Sequence, residues 1–368
     1  MEKTRIGIVG VGDISGIYLE NITKLFQEIE VVGVCDLVRE KAERAVEKYK
    51  IPKLYNDMYE LFADDEVDLV LNLTRPYEHF GVSSEALKAG KPVYSEKPLA
   101  ATLEEGKELV RLAEEKGLFL GGAPDTFLGA GIQTCRKLID GGFIGEPVGA
   151  AAFMICRGHE SWHPDPAFYY KHGGGPMMDM GPYYITALIN LLGGVKTVAG
   201  MTKASFPTRT ITSEPLNGTL VDVEVPTYVT GLMQFENGAT GTIFTTFDVH
   251  YDTQARLEIY GSKGTLIVPD PNCFGGPIRL LRPEQGEYKE MPLLFPYQEN
   301  SRGLGLADAA KAIAEGRDPR AGYQQTYHVL EVMQSFQKSS EEGRFVEIES
   351  KFERKAPMRD DLLKGVLD

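Results

Sequence analysis

The sequence predicts an α/β domain built as a doubly wound parallel sheet, followed by a second domain in which antiparallel sheet dominates. Three observations carry this. The first stretch alternates short apolar runs with amphipathic helical segments. Its apolar runs are continuous rather than alternating, as in parallel strands covered on both faces. After Asp125 the pattern changes to strand-type runs joined by hairpin turn signals. The expected boundary gives domains 1–124 and 125–368, and a chain of 368 residues suits two cores better than one.

In the first domain the expected strands are Arg5–Gly10, Val31–Asp36, Leu69–Thr74, Pro92–Glu96 and Leu118–Gly121. The expected helices are Ser15–Phe26, Arg39–Tyr49 and His79–Ala89, the last stopped by Gly90. Thr102-Leu-Glu-Glu105 is a capping box opening a further helix that closes at Gly117. The second domain begins with a helix over Ile132–Asp140, then strands over Val148–Cys156 and Val195–Phe206. Tyr228–Phe235 and Thr240–Phe247 flank Asn237-Gly238, a two-residue hairpin signal. Arg256–Tyr260 and Thr265–Val268 flank a second hairpin turn at Ser262-Lys-Gly264. Helices return over Leu304–Glu315 and Gln324–Glu342, and are expected to pack back on the first domain.

Composition narrows the function. A net charge of −14 and a pI of about 5.1 argue against a nucleic-acid partner. The chain carries no apolar stretch long enough for a membrane span and no export signal pattern. Cys35, Cys135, Cys156 and Cys273 are widely spaced, which reads as reduced thiols in a reducing compartment. A cytoplasmic location is expected.

The run Gly7-Ile-Val-Gly10-Val-Gly12-Asp13-Ile14-Ser15 places GxGxxS directly after the first strand. Gly10 permits a tight turn, Gly12 lets backbone N–H groups approach a pyrophosphate, and Ser15 still allows close helix–strand packing. The phosphates would then sit on a helix N-terminus. Asp36 ends the second strand 24 residues after Gly12, where an acid accepts from ribose hydroxyls and repels a 2′-phosphate. NAD is therefore expected rather than NADP, although Arg39 nearby could hold that phosphate.

The most specific stretch is Ala86-Leu-Lys-Ala-Gly90-Lys-Pro-Val-Tyr-Ser95-Glu96-Lys97-Pro98. It delivers Glu96 and Lys97 at the carboxyl end of a parallel strand, the edge where ligands bind in such sheets. A desolvated lysine there can act as acid or base, and a cis Lys97–Pro98 bond would fix its direction.

On these motifs, together with Thr74-Arg-Pro76-Tyr-Glu-His79 and Ile144-Gly145-Glu146, the chain resembles the Gfo/Idh/MocA family of NAD(P)-dependent oxidoreductases over nearly its whole length. The resemblance implies a Rossmann domain plus an α/β domain with a large open sheet that commonly serves in dimer or tetramer contacts. By position Lys97 inherits contact with the reacting hydroxyl beside the nicotinamide. The implied cofactor residues are Gly10, Gly12, Asp13, Ile14, Asp36, Thr74, Pro76, His79, Glu96 and Lys97.

The third family block departs here. Gly173-Gly-Gly-Pro-Met-Met-Asp179-Met-Gly181-Pro182-Tyr183 keeps the glycines and Asp179, but Tyr183 stands at the usual catalytic histidine and Thr186 at a later aspartate. Pro182 reads as the first residue of a helix running to Gly193–Gly194, so Tyr183 would lie in its first turn, where the helix dipole favours phenolate. Tyr183, Thr186 and Asn190 would form one polar stripe. The preceding loop, Arg157 to Tyr170, is rich in aromatics that suit sugar rings, and His163 there could replace the missing histidine. His159 and His163 show no third metal ligand, so no metal is expected.

The expected activity is reversible hydride transfer between NAD(H) and a secondary alcohol of a sugar, glycoside or cyclitol. Lys97 polarises the oxygen, Tyr183 or His163 completes the proton path, and Asp179 orients them. Substrate contacts are expected from Lys97, Trp162, His163, Tyr169, Asp179 and Tyr183. The family resemblance leaves two alternatives: an NAD-recycling glycosidase or lyase working through a transient keto-sugar, and a non-catalytic NAD-binding sugar sensor. A homodimer or homotetramer through the second-domain sheet is the expected assembly.

Overall fold

The computed structural model describes residues 3–250 and 256–368. Strands β1 (Thr4–Val9), β2 (Ile29–Cys35), β3 (Lys53–Leu54), β4 (Leu69–Asn72), β5 (Val93–Ser95) and β6 (Leu120–Gly122) alternate with helices α1 (Ser15–Lys24), α2 (Arg39–Tyr49), α3 (Met58–Ala63), α4 (His79–Lys88) and α5 (Leu103–Lys116). Next come α6 (Ala130–Asp140), β7 (Pro147–Ile155), α7 (Pro176–Leu192), β8 (Val195–Lys203), β9 (Thr208–Thr210) and β10 (Leu220–Asp222). Then follow β11 (Tyr228–Phe235), β12 (Thr240–Thr246), β13 (Arg256–Gly261), β14 (Gly264–Val268), β15 (Ile278–Leu281) and β16 (Lys289–Met291). Helices α8 (Leu304–Glu315) and α9 (Tyr323–Glu342) and strand β17 (Val346–Glu347) complete the order.

The chain forms two units. The first comprises Met1–Gly129, Phe295–Tyr327 and Lys355–Asp368, and the second Ala130–Leu294 and His328–Arg354. The division is thus not the single cut at 124/125 read from the sequence. Polar bonds explain the later segments of the first unit. Asp125 accepts the N–H groups of Gly303 (2.8 Å) and Gly305 (3.1 Å) where α8 begins. Arg320 joins buried Asp308 to Asp368, the latter at 2.8 Å.

The first unit is a doubly wound sheet in the order β3-β2-β1-β4-β5-β6, all pairs parallel. Its strands are apolar on both faces, and Ile6, Ile8, Val34, Val70 and Leu71 are fully buried. The strand order reverses direction between β1 and β4, which opens a crevice at their carboxyl ends. Thr102 caps α5 in the expected box with Glu105, and Gly117 ends it in a left-handed conformation.

The second unit carries a nine-stranded sheet in the order β16-β15-β14-β13-β7-β12-β11-β8-β17. Every pair is antiparallel except β7 with β12. The β11–β12 turn is one residue longer than the expected two. The Phe235 N–H donates to the Ala239 carbonyl (2.9 Å), and Gly238, at φ +88°, donates its N–H to Phe235 (3.0 Å). This is the three-residue loop with glycine in the left-handed position. Gly200 and Gly231 pair across β8 and β11, and a Cβ on Gly231 would come within 2.3 Å of the Phe336 ring of α9. Side chains alternate across a strand, so the neighbours Met201 and Leu232 turn to the other face, where they are 76% and 51% exposed. Among the described residues no helix is long and apolar enough to cross a membrane.

Helix α7 corrects one expectation. It starts at Pro176, not Pro182, and Pro182 lies inside it. The loop glycine Gly175 ends at φ +90° and Pro176 supplies the pre-set φ of a first turn, so the helix begins a turn and a half earlier. Tyr183 is therefore mid-helix and buried, away from the terminal dipole, and Asp179 occupies the first turn instead.

Candidate active site

In the first unit the sequence motifs converge on the carboxyl edge of the parallel sheet. Gly10, at φ +92°, ends β1 with its N–H on the Cys35 carbonyl (2.9 Å), and a Cβ there would meet the Leu73 backbone at 2.9 Å. Only glycine fits that crossing. A Cβ on Gly12 would meet nothing within 4 Å, so the space over the turn is open. Helix α1 starts without a side-chain cap and without an acid in its first turn, leaving backbone N–H groups for an anion. This cradle fits a dinucleotide pyrophosphate. Asp13 and Ile14 of the turn are exposed.

Asp36 has a second part that the sequence did not signal. Its Oδ2 accepts the Val11 N–H (2.6 Å) and its Oδ1 the Val38 N–H (2.8 Å), so it braces the glycine turn. Each oxygen keeps a further lone pair for a ribose hydroxyl. Arg39 is held by Glu43 and Asn56, both at 3.0 Å.

Around the β4 and β5 ends, several expected cofactor residues turn inward. His79 is 1% exposed, with Nδ1 2.7 Å from the Pro98 carbonyl and Nε2 3.0 Å from the Thr74 carbonyl. Burial pulls its pKa below the ordinary histidine value. It ties the Thr74 loop to Pro98, so its contribution is indirect. The Thr74 hydroxyl donates to Asn72 (2.6 Å), and Pro76 opens the short turn ahead of α4. Glu96 is also buried: it accepts from the Tyr18 hydroxyl (2.6 Å) and from the Lys97 N–H (3.0 Å). Burial, with Glu96 beside it, raises the Tyr18 phenol well above its usual range. The Lys97–Pro98 bond is cis, as the sequence suggested, and Lys97 is partly exposed. Tyr18 escaped the sequence reading because it acts through Glu96, 78 residues further along the chain.

In the second unit the aromatic loop forms one cluster. The His159 ring lies 4.0 Å from Tyr169, 4.8 Å from Phe247 and 5.3 Å from Trp162. The His163 ring lies 5.4 Å from Tyr169, and its Nδ1 accepts the Asp165 N–H at 3.0 Å. Asp179 meets His159 rather than His163, at 3.3 Å between Oδ2 and Nε2. Thr186 and Asn190 bond along α7, Asn190 donating to the Thr186 carbonyl (2.8 Å), so the expected polar stripe is buried structure.

Buried Arg209 fixes this loop. It pairs with Glu160, with Asp248 (2.8 Å) and with the carbonyls of Arg157 and Phe247, the latter at 2.9 Å. Tyr170 donates to Glu160 (2.6 Å). Nothing local in the sequence flags Arg209, which lies 49 residues beyond the glutamate it holds.

Comparison with known proteins gives the family. Residues 4–122 match the model of an oxidoreductase family with an NAD-binding Rossmann fold, which defines the class of the first unit. Residues 132–267 match the GFO/IDH/MocA C-terminal domain. The chain belongs to the GFO/IDH/MocA family of oxidoreductases.

It is 25% identical to a myo-inositol 2-dehydrogenase of Thermotoga maritima, over 94% of this chain and 98% of that protein. It is 30% identical to a D-xylose dehydrogenase of Paenarthrobacter nicotinovorans over 55% of this chain, and the match spans about half of that relative (53%). In fold it is similar to a levoglucosan dehydrogenase solved with NADH and L-sorbose: TM-score 0.81, 20% identity, 95% of this chain and 99% of that one.

Proposed function

We propose that this protein is an NAD-dependent dehydrogenase or reductase acting on a secondary alcohol carbon of a sugar, glycoside or cyclitol. The observation that supports it most is that the Gly10–Gly12 turn, the braced Asp36 and partly exposed Lys97 share one carboxyl edge of the parallel sheet. Named relatives that act on inositol and xylose, and a similar structure that binds levoglucosan, support the substrate class.

When bound, NAD supplies the hydride acceptor. The α1 N-terminus and the turn through Asp13 and Ile14 hold its pyrophosphate, Asp36 its ribose, and Thr74 and Pro76 flank it. His79 and Glu96 support that surface from beneath. Lys97 holds and polarises the reacting oxygen. Asp179, Trp162, His163, Tyr169 and Tyr183 serve the substrate; the sequence offers as proton partner Tyr183, at the family histidine position, or His163 of the aromatic loop.

NAD is favoured over NADP because Asp36 would repel a 2′-phosphate and Arg39 is engaged elsewhere. Four free thiols, two of them buried, support a cytoplasmic setting. The open sheet face supports a homodimer or homotetramer.

The test is NADH formation when the protein meets NAD and a panel of cyclitols, aldoses and anhydrosugars, alongside thermal shifts. Net NADH is expected with at least one of them. A keto-dependent product without net NADH would mark the recycling lyase instead. Lys97→Ala should keep its melting temperature and NADH binding but lose about 10²-fold or more in kcat. Near-normal turnover of that variant would remove Lys97 from the chemistry.

A further inference from the structure

The geometry points to His159, oriented by Asp179, as the acid–base residue that stands in for the missing family histidine; this rests on the proposed dehydrogenase reading. The argument lies wholly within the second unit. His159 Nε2 lies 3.3 Å from Asp179 Oδ2, with the two side chains 13% and 14% exposed. Asp179 sits in the first turn of α7, where the helix dipole favours a carboxylate. With Nε2–H donating to Asp179, the neutral ring carries its lone pair on Nδ1. That is the arrangement of a base held in one tautomer by a carboxylate.

The ring is also held in place. Tyr169, Phe247 and Trp162 surround it at 4.0, 4.8 and 5.3 Å. On either side along the chain, Arg209 bonds the Arg157 carbonyl and the Glu160 carboxylate. Gly158 lies between, at φ +96°, and a Cβ on it would come within 2.2 Å of Glu160 and 2.3 Å of the Tyr170 hydroxyl. The backbone carrying His159 is therefore fixed from both sides.

The two other candidates fit less well. His163 Nδ1 already accepts the Asp165 N–H (3.0 Å), so that ring takes a proton at Nδ1 only by giving up this bond. Tyr183 is a buried mid-helix phenol, one turn beyond Asp179. In the oxidation direction the substrate O–H proton passes to His159 Nδ1. The C–H hydride leaves with its electron pair to NAD+, and the C–O bond becomes C=O, so atoms and charge balance.

Two measurements test this. Histidine-selective ¹⁵N NMR of the whole protein, with the His159 signal identified by its absence in His159→Gln, should give the Nε2–H tautomer, altered in Asp179→Asn. It needs no substrate, so it stands apart from the activity reading; an Nδ1–H tautomer overturns the proposal.

With NAD and the best substrate, His159→Gln should lose about 10²-fold or more in kcat with NADH affinity kept. His159→Ala should recover part of the rate on adding imidazole. Asp179→Asn leaves the ring packing in place and reads the same relay should His159→Gln fold poorly: its kcat should fall more than its KM changes. Near-normal kcat in His159→Gln or Asp179→Asn, with the loss appearing instead in Tyr183→Phe or His163→Gln, overturns it. A wild type that reduces no NAD with any polyol counts against the dehydrogenase reading, and the tautomer still decides the geometry.

Discussion

At the scale of single residues, Asp36 carries two loads at once. It accepts the Val11 N–H of the glycine turn and the Val38 N–H beyond β2, and it is proposed to meet the ribose. NAD(H) should bind at least about tenfold more tightly than NADP(H), a difference of about 1.4 kcal/mol. Asp36→Asn should narrow that preference while weakening NAD(H) itself, because an amide accepts fewer bonds than the carboxylate. Calorimetry with both cofactors checks this, and tighter NADP(H) binding by the wild type would reverse the assignment.

Gly10, Gly12 and Lys97 were legible as candidates because a local motif and the strand before it mark each one. Tyr18 and Arg209 were not, because each is defined by a partner that only the fold brings near.

Among elements, the long periodic helices and hairpin strands were legible, and α2 runs over the expected Arg39–Tyr49. The misses were mostly short or displaced, among them two-residue β3, six-residue α3, and the start of α7, which was read at Pro182 and lies six residues earlier at Pro176.

The element junction at His328 is a second feature without a sequence signature. Its Nε2 accepts the Val195 N–H at the start of β8 (3.0 Å), and its Nδ1 lies 2.8 Å from the Ser350 hydroxyl. Burial pulls its pKa from 6.5 down to about 4, despite nearby Glu331. A lowered folded pKa means the contribution is complete above 6.5 and disappears as pH falls through 4. The amount at stake is about 3 kcal/mol. His328→Gln keeps an acceptor for Val195 but does not titrate. Melting temperatures taken across that window should fall more steeply for the wild type than for the variant; parallel curves would locate acid sensitivity elsewhere.

For the whole molecule, one face of the nine-stranded sheet receives Phe336 while the other presents Met201 and Leu232 at 76% and 51% exposure. Apolar side chains on an open sheet face favour association. Sedimentation should find a dimer or tetramer, and Leu232→Glu should shift it toward monomer without lowering the melting temperature by much. A wild-type monomer would leave that face without its assigned role.

The division of the chain also has a consequence for its making. A ribosome delivers the six parallel strands of the first unit well before residues 295–327 and 355–368 that belong with them. Asp125 must wait for the N–H groups of Gly303 and Gly305, and Arg320 for Asp368. The half of the protein that is translated first is therefore finished last, and a growing chain carries an incomplete nucleotide-binding unit throughout the synthesis of the second.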